Sequence, residues 1–228
     1  MNDENAGYDK HASGKPVTIE QRGGEADGRR FSPSTGRNKD IVREVFLKHM
    51  PISGHILEIA SGTGEHGAHI AEQAHELSWV YTDIDPQGLQ SQKAWAEQVS
   101  HDRLLGPFEL NAALNHWGEA ETSARYDGIF NANMIHISPF EVAEGLIAGA
   151  GRILTAGGKL MLYGPFARSG EIAPSNARFS EDLKRRDPRW GVRDLDQDII
   201  PLAGRAGLEL EVVVDMPANN LSAIFTRR

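Results

Sequence analysis

Residues 55–67 read His-Ile-Leu-Glu-Ile-Ala-Ser-Gly-Thr-Gly-Glu-His-Gly. A short apolar run ends at Glu58, the chain turns through a glycine-rich loop, and a helical pattern opens at Glu65. A strand that delivers such a loop to a helix N-terminus is how a parallel α/β sheet builds a nucleotide pocket. Its glycines let a ligand approach the backbone, and the first helical turn offers unpaired N–H groups. Gly62-x-Gly64-x-x-Gly67 matches the dinucleotide fingerprint letter for letter. An overlapping pattern, Glu58-x-x-x-Gly62-x-Gly64, sets an acidic residue ahead of the same turn.

Working outward, apolar residues alternate between strand and helix spacing. Ile41, Val42, Val45 and Phe46 predict a helix over 37–49 that Pro51 ends. Strands are expected at 55–59, 78–82, 108–110, 126–131 and 159–163, and helices at 65–75, 86–99 and 139–154, with a helical turn near 115–122. Strands alternating with helices of this length predict a doubly wound, mostly parallel sheet of the Rossmann-like kind. The rhythm then breaks. After a short helix over 199–206, strands at 208–214 and 221–226 are joined by Asp-Met-Pro-Ala-Asn-Asn, too short for a crossover helix, so they must pair antiparallel. Seven strands are expected in all.

Bulk properties narrow the setting. A chain of 228 residues with 39% hydrophobic content is one globular domain plus a tail. Residues 1–30 are polar and glycine-rich, which predicts a flexible tail ahead of a domain over 31–228. No cysteine is present, which removes disulfides, thiol catalysis and cysteine-based zinc sites and fits a reducing, cytoplasmic setting. A formal charge of −8 argues against a broad nucleic-acid face, and no apolar run is long enough to cross a membrane. His66 and His69 lie one helical turn apart with no third ligand at metal-site spacing, so no metal is expected. The oligomeric state is left open.

Five parallel crossovers finished by an antiparallel hairpin resemble the fold of class I S-adenosylmethionine (SAM)-dependent methyltransferases, and Glu58-x-x-x-Gly62-x-Gly64 resembles their first motif. A closer resemblance is to a family of small methyltransferase-like proteins of bacteria and animals known as a domain of unknown function. It is carried by Ser-Pro-Ser-Thr-Gly-Arg-Asn-Lys (32–39), Leu-Glu-Ile-Ala-Ser-Gly-Thr-Gly (57–64), Asn-Ala-Asn-Met-Ile-His-Ile-Ser-Pro (131–139), Leu-Tyr-Gly-Pro-Phe (162–166) and Met-Pro-Ala-Asn-Asn-Leu (216–221). The resemblance spans nearly all of residues 31–228. It implies SAM as cofactor and methyl transfer to a small molecule, without naming the acceptor.

On that resemblance, Ala60, Ser61, Gly62 and Gly64 form the turn around the methionine end of SAM, with Ala60 where a glycine is commoner, and Glu58 faces its amino group. Asp83, ending the second strand, suits the ribose hydroxyls under either nucleotide reading. Asp85, before Pro86, reads as a helix cap. The resemblance further implies Ile84 against the adenine, Asn111 at its amino group, and Asn131 beneath the cofactor. Arg37, Asn38 and Lys39 open the first helix, where cations oppose the macrodipole, which favours a role over the cofactor or a substrate carboxylate.

For the chemistry, His136 follows the fourth strand, where the acceptor pocket of this fold opens, and an ordinary imidazole suits proton removal near neutrality; a histidine hydrogen-bonded at a helix start is the alternative. Tyr163 ends the fifth strand and could orient the acceptor; a core tyrosine is the plainer alternative. Asn133, Asn176, Arg193, Asp194, Asn219 and Asn220 sit in loops at the carboxyl rim where open sheets bind ligands, which with Asn38 of the first helix suggests a small polar acceptor. Two other readings stay open: an NAD(P)-binding oxidoreductase, on Gly62-x-Gly64-x-x-Gly67 with Asp83, and a SAM-binding regulatory protein without catalysis, on Ala60 and the uncertain base.

Overall fold

The strand that carries the decisive loop runs through the middle of the sheet. A computed structural model describes residues 22–122 and 125–228. Two short strands, β1 (Gly23–Gly24) and β2 (Arg30–Phe31), pair antiparallel ahead of α1 (Pro33–His49). There follow β3 (Ser53–Glu58), α2 (Glu65–Ala71), β4 (Glu76–Asp83), α3 (Pro86–Gln98), β5 (Leu104–Glu109), α4 (Gly118–Thr122), β6 (Tyr126–Ala132) and α5 (Phe140–Ile153). The chain continues through β7 (Leu154–Ala167), α6 (Pro174–Arg186), β8 (Arg193–Asp194), α7 (Ile200–Arg205), β9 (Leu208–Met216) and β10 (Asn220–Arg227).

Sheet order is β5-β4-β3-β6-β7-β10-β9, parallel from β5 to β7, with β10 antiparallel to both neighbours and β8 added beside β7. This is the doubly wound, mostly parallel, Rossmann-like sheet with an antiparallel finish that the alternation and the hairpin predict.

The period-two geometry of strands sends neighbouring side chains to opposite faces, and each face has its own core. Ile56, Trp79, Tyr81, Phe130 and Ile224 pack beneath α1 with Val42 and Phe46. Leu57, Val80, Ile129, Ala223 and Phe225 pack beneath α5 with Leu146 and Ile147. Both faces are covered, which is why these strands read as apolar runs and not as clean alternation.

Several boundaries differ from expectation. Helix α2 stops at Ala71, strand β5 begins at Leu104, and β7 runs for 14 residues, starting at once after α5. Helix α6 is not anticipated by periodicity, because Ala177, Phe179 and Leu183 are its only apolar residues. Of the expected tail, residues 1–21 lie outside the described residues. Residues 22–31 form an arm docked on α3: Phe31 meets Trp95 edge-on at 5.3 Å, and the Arg29 guanidinium lies 4.9 Å from the Trp95 ring. Aromatic and cation–π contacts hold a segment whose composition alone cannot bury a core. Among the described residues, no helix is long and apolar enough to cross a membrane.

Candidate active site

At the carboxyl ends of β3, β4, β6 and β7 lies a cleft of about 1130 Å³. Its floor is the turn after Glu58, and the turn is held from every side. Thr82 Oγ1 donates to the Glu58 carbonyl at 2.6 Å, Ser61 N–H to the Thr82 carbonyl at 2.8 Å, and Tyr81 O–H to the Gly64 carbonyl at 2.7 Å. From α3, Ser91 Oγ donates to the Thr63 carbonyl at 2.7 Å and Gln92 Nε2 to that of Gly62 at 3.1 Å. Ala60, Gly62 and Gly64 all adopt positive φ, at 56°, 58° and 85°. Glycine takes that conformation freely, whereas Ala60 holds it against a steric cost. Gly67 has a different role: a Cβ there would overlap Trp79 and Tyr81, so its lack of a side chain lets α2 lie close on the sheet.

Glu58 is buried, and Trp79 Nε1 donates to it at 2.9 Å. Burial pushes its carboxyl up to about 8, against the lowering effect of Trp79 and Ser61. Asp83 is buried as well. It accepts Gly62 N–H on Oδ2 at 2.7 Å and the N–H groups of Ile84 and Asp85 on Oδ1 at 2.8 and 2.9 Å. Burial raises its pKa, and these three N–H groups oppose the rise. With Oδ1 doubly engaged, the remaining accepting capacity is chiefly on Oδ2, less than a two-oxygen ribose grip needs. Asp85 caps α3 by accepting Gln87 N–H at 3.1 Å, as its position before Pro86 predicts.

Ile84, Leu110, Asn111 and Ala112 line the outer end of the cleft. Asn111 Oδ1 accepts Ala113 N–H at 3.0 Å, so the side chain builds its own turn while facing the cleft. Arg37 and Asn38 line the wall from α1, but Lys39 turns away and pairs with Glu65 at 2.9 Å. Asn131 keeps its side chain out of the cleft: its amide donates to the Ile59 carbonyl at 2.8 Å, and Ala132, Asn133 and Met134 line the wall beside it.

At the inner end stand His136, Tyr163, Asn133 and Asn176. Tyr163 is buried, its pKa raised by burial and eased by a hydrogen bond with Asn38, whose Oδ1 also meets His66 Nε2 at 2.9 Å. His136 is fully buried, edge-on to Phe166 at 5.0 Å and against Gly164, and neither ring nitrogen has a hydrogen-bond partner. Burial, with the Arg193 charge second, pushes its pKa down to about 3, so it is a neutral imidazole and not the near-neutral base that its residue type suggests.

Arg193 and Asn219 do not line the cleft. Arg193 donates to the carbonyls of Ile135, Ser138 and Arg189 at 3.1, 2.7 and 2.9 Å, clamping the loop that carries His136. Asn219 lends its carbonyl to Asn176 Nδ2 at 2.8 Å and donates to Ser175 Oγ at 2.9 Å. Asp194 caps the turn before α7, accepting the N–H groups of Asp196 and Gln197. Asn220 does reach the cleft.

Sequence reasoning missed Arg22, Phe179, Arg186 and Trp190, which also line it. Only Trp190 carried a signal, as a bulky aromatic in an otherwise charged stretch. A narrow turn with backbone donors, two buried carboxyls, a partly apolar outer end and a neutral imidazole at the inner end can hold a nucleoside with a cationic tail beside a second small molecule.

Solved structures share this architecture. An O-methyltransferase family 2 protein from Planctomyces limnophilus in complex with apigenin matches with a TM-score of 0.70 at 17% identity, covering 86% of this chain and 60% of that one. An O-methyltransferase family protein from Burkholderia thailandensis gives 0.69 at 18%, covering 85% and 56%. Human N-acetylserotonin methyltransferase in complex with SAM gives 0.67 at 13%, covering 85% and 52%. At such identities the likeness is one of fold, and the chain spans little more than half the length of these proteins. The fold class is therefore that of the SAM-dependent methyltransferases. Within it, the chain belongs to the family described as "Protein of unknown function (DUF938)", whose model matches residues 29–227.

Proposed function

We propose that this protein is a SAM-dependent methyltransferase acting on a small metabolite with polar groups. The observation that carries the reading is Glu58: a buried carboxyl at the end of β3, facing a cleft and held close to its neutral form. Such a group is costly to bury ionised unless a cation meets it, and the amino group of SAM is a cation of the right kind. The left-handed turn from Ala60 to Gly64 fits a ligand pressed against backbone, and Asp83 faces the same cleft for the ribose. The antiparallel β9–β10 finish and the packing role of Gly67 weigh against the NAD(P) reading.

SAM would supply a methyl group already activated on a sulfonium, so the chain's own task is mainly alignment and exclusion of water. The neutral His136 can accept a hydrogen bond from an acceptor hydroxyl or amine and so aim its lone pair, and Tyr163 can hold the acceptor from the opposite wall. Phe179, Trp190 and Val142 give that end an apolar flank, which suits an acceptor with a flat hydrophobic face beside its polar groups.

The test is calorimetric titration of the pure protein with S-adenosylhomocysteine and with NADH. Micromolar binding of the first alone is expected; binding of NADH alone would overturn the reading. Label from methyl-tritiated SAM entering a small-molecule fraction of a cell extract would establish turnover. Tight cofactor binding with no transfer to any fraction would favour the regulatory alternative.

A further inference from the structure

Arg22 enters the cleft on the arm that precedes α1. The arm is anchored to α3 by more than its aromatic contacts: Arg30 N–H donates to Ser91 Oγ at 2.9 Å, Arg30 Nη1 to Gln87 Oε1 at 2.7 Å, and Trp95 Nε1 to the Arg30 carbonyl at 3.4 Å. Helix α3 begins directly after Asp83–Asp85, so an arm fastened there runs behind the Asp83 end of the cleft. The chain then delivers the Arg22 guanidinium over the Gly62 turn. Its Nη2 lies 3.4 Å from the point where a Cβ on Gly62 would stand, and its charge acts on Asp83. Gly62 thus leaves the space that Arg22 lies across.

The guanidinium has donors and no acceptor, and its Nε is buried without a hydrogen-bond partner. Arg22 as a whole is half-buried, and its one buried, unpaired donor nitrogen carries a cost that an acceptor on a ligand would relieve. Asp83 does not meet it: Arg22 Nε has no partner, and the hydrogen bonds that Asp83 accepts come from the N–H groups of Gly62, Ile84 and Asp85. Arg22 also lies outside residues 29–227, the stretch matched by the family model.

We infer that Arg22 is a ligand-binding residue of this cleft, closing over its Asp83 end and donating to an oxygen of the bound nucleoside. The inference rests on the SAM reading. It gives the arm a role in sealing the ribose from water and offsets, beside the ligand, the charge that Asp83 must carry to accept a hydroxyl.

The experiment is titration of the full chain with S-adenosylhomocysteine, comparing wild type, Arg22→Ala and Arg22→Lys, with the thermal midpoint of each ligand-free protein as control. Arg22→Ala is expected to weaken binding about tenfold, the scale of one charge-assisted hydrogen bond, and Arg22→Lys to recover part of the loss. The midpoints should agree. Affinity within twofold of wild type, or tighter, overturns the inference, as does a loss of affinity that follows a lowered midpoint. A wild type that binds no S-adenosylhomocysteine instead sinks the cofactor reading and this inference with it.

Discussion

Glu58 and Trp79 meet inside the sheet, the indole N–H donating to the carboxyl at 2.9 Å, and Glu58 faces the cleft from beneath its glycine turn. The hydrogen bonds from Trp79 and Ser61 do not offset full burial, so the pKa of the carboxyl in the ligand-free protein is pushed up to about 8.

Cation binding at Glu58 should therefore release a proton. The ionised form is favoured in the complex, so affinity for S-adenosylhomocysteine should climb as pH rises from 6 to 8, by at most about tenfold per unit, and level off above 8. Titration calorimetry in buffers of different ionisation enthalpy would count the proton, and Glu58→Gln should bind weakly with a flat profile. The same group sets a stability slope. Its folded pKa of about 8 lies above the ordinary 4.5, so its contribution is full below pH 4.5 and is lost as pH rises toward 8. Glu58→Gln should remove that slope in ligand-free denaturation curves; an unchanged slope would count against the assignment.

Ala60 holds φ at 56°, a conformation that costs an L-residue about 1 kcal/mol. Ala60→Gly should relieve that cost, less the entropy of a freer unfolded chain, for a net gain of up to about 1 kcal/mol in urea denaturation. Binding of S-adenosylhomocysteine should be kept or improved. A loss of stability would mean that the Ala60 methyl group makes packing contacts that outweigh the strain.

Arg193 holds two carbonyls of the loop around His136 and that of Arg189, and lies 5.5 Å from the Phe140 ring. Arg193→Met should destabilise the fold by about 2–4 kcal/mol, the cost of orphaning those acceptors. It should also raise the pKa of His136, since the Arg193 charge helps push it down to about 3. Ring-nitrogen NMR of labelled histidine follows this directly. A His136 ring that titrates near 6.5 in wild type would show that burial does not control it.

What could be read in the chain was local. Glu58, the glycine turn, the Asp85 cap and the hairpin are each contained in one short stretch of chain, and each matches a short-range rule. What could not be read depends on partners far away. Asn131, Arg193 and Asn219 have the chemistry of ligand-binding residues, but distant carbonyl and hydroxyl groups take up their donors. The pKa of His136 is lowered by burial against Gly164 and Phe166 of β7 and by Arg193, drawn from two other parts of the chain. Arm residues 22–31 look like tail because composition does not reveal that Trp95, more than 60 positions on, offers them a ring.

The place of β10 carries one more consequence. Lying between β7 and β9, it pairs through seven positions with β7 and eight with β9. Neither neighbour can be joined to the other without it. During synthesis the sheet therefore stays open at this seam until the ribosome has released Asn220–Arg227, and until then both flanking strands present bare backbone edges. A premature stop before Asn220 would spare every cleft residue in the β3–α2 turn, and yet make a product that cellular quality control treats as unfolded.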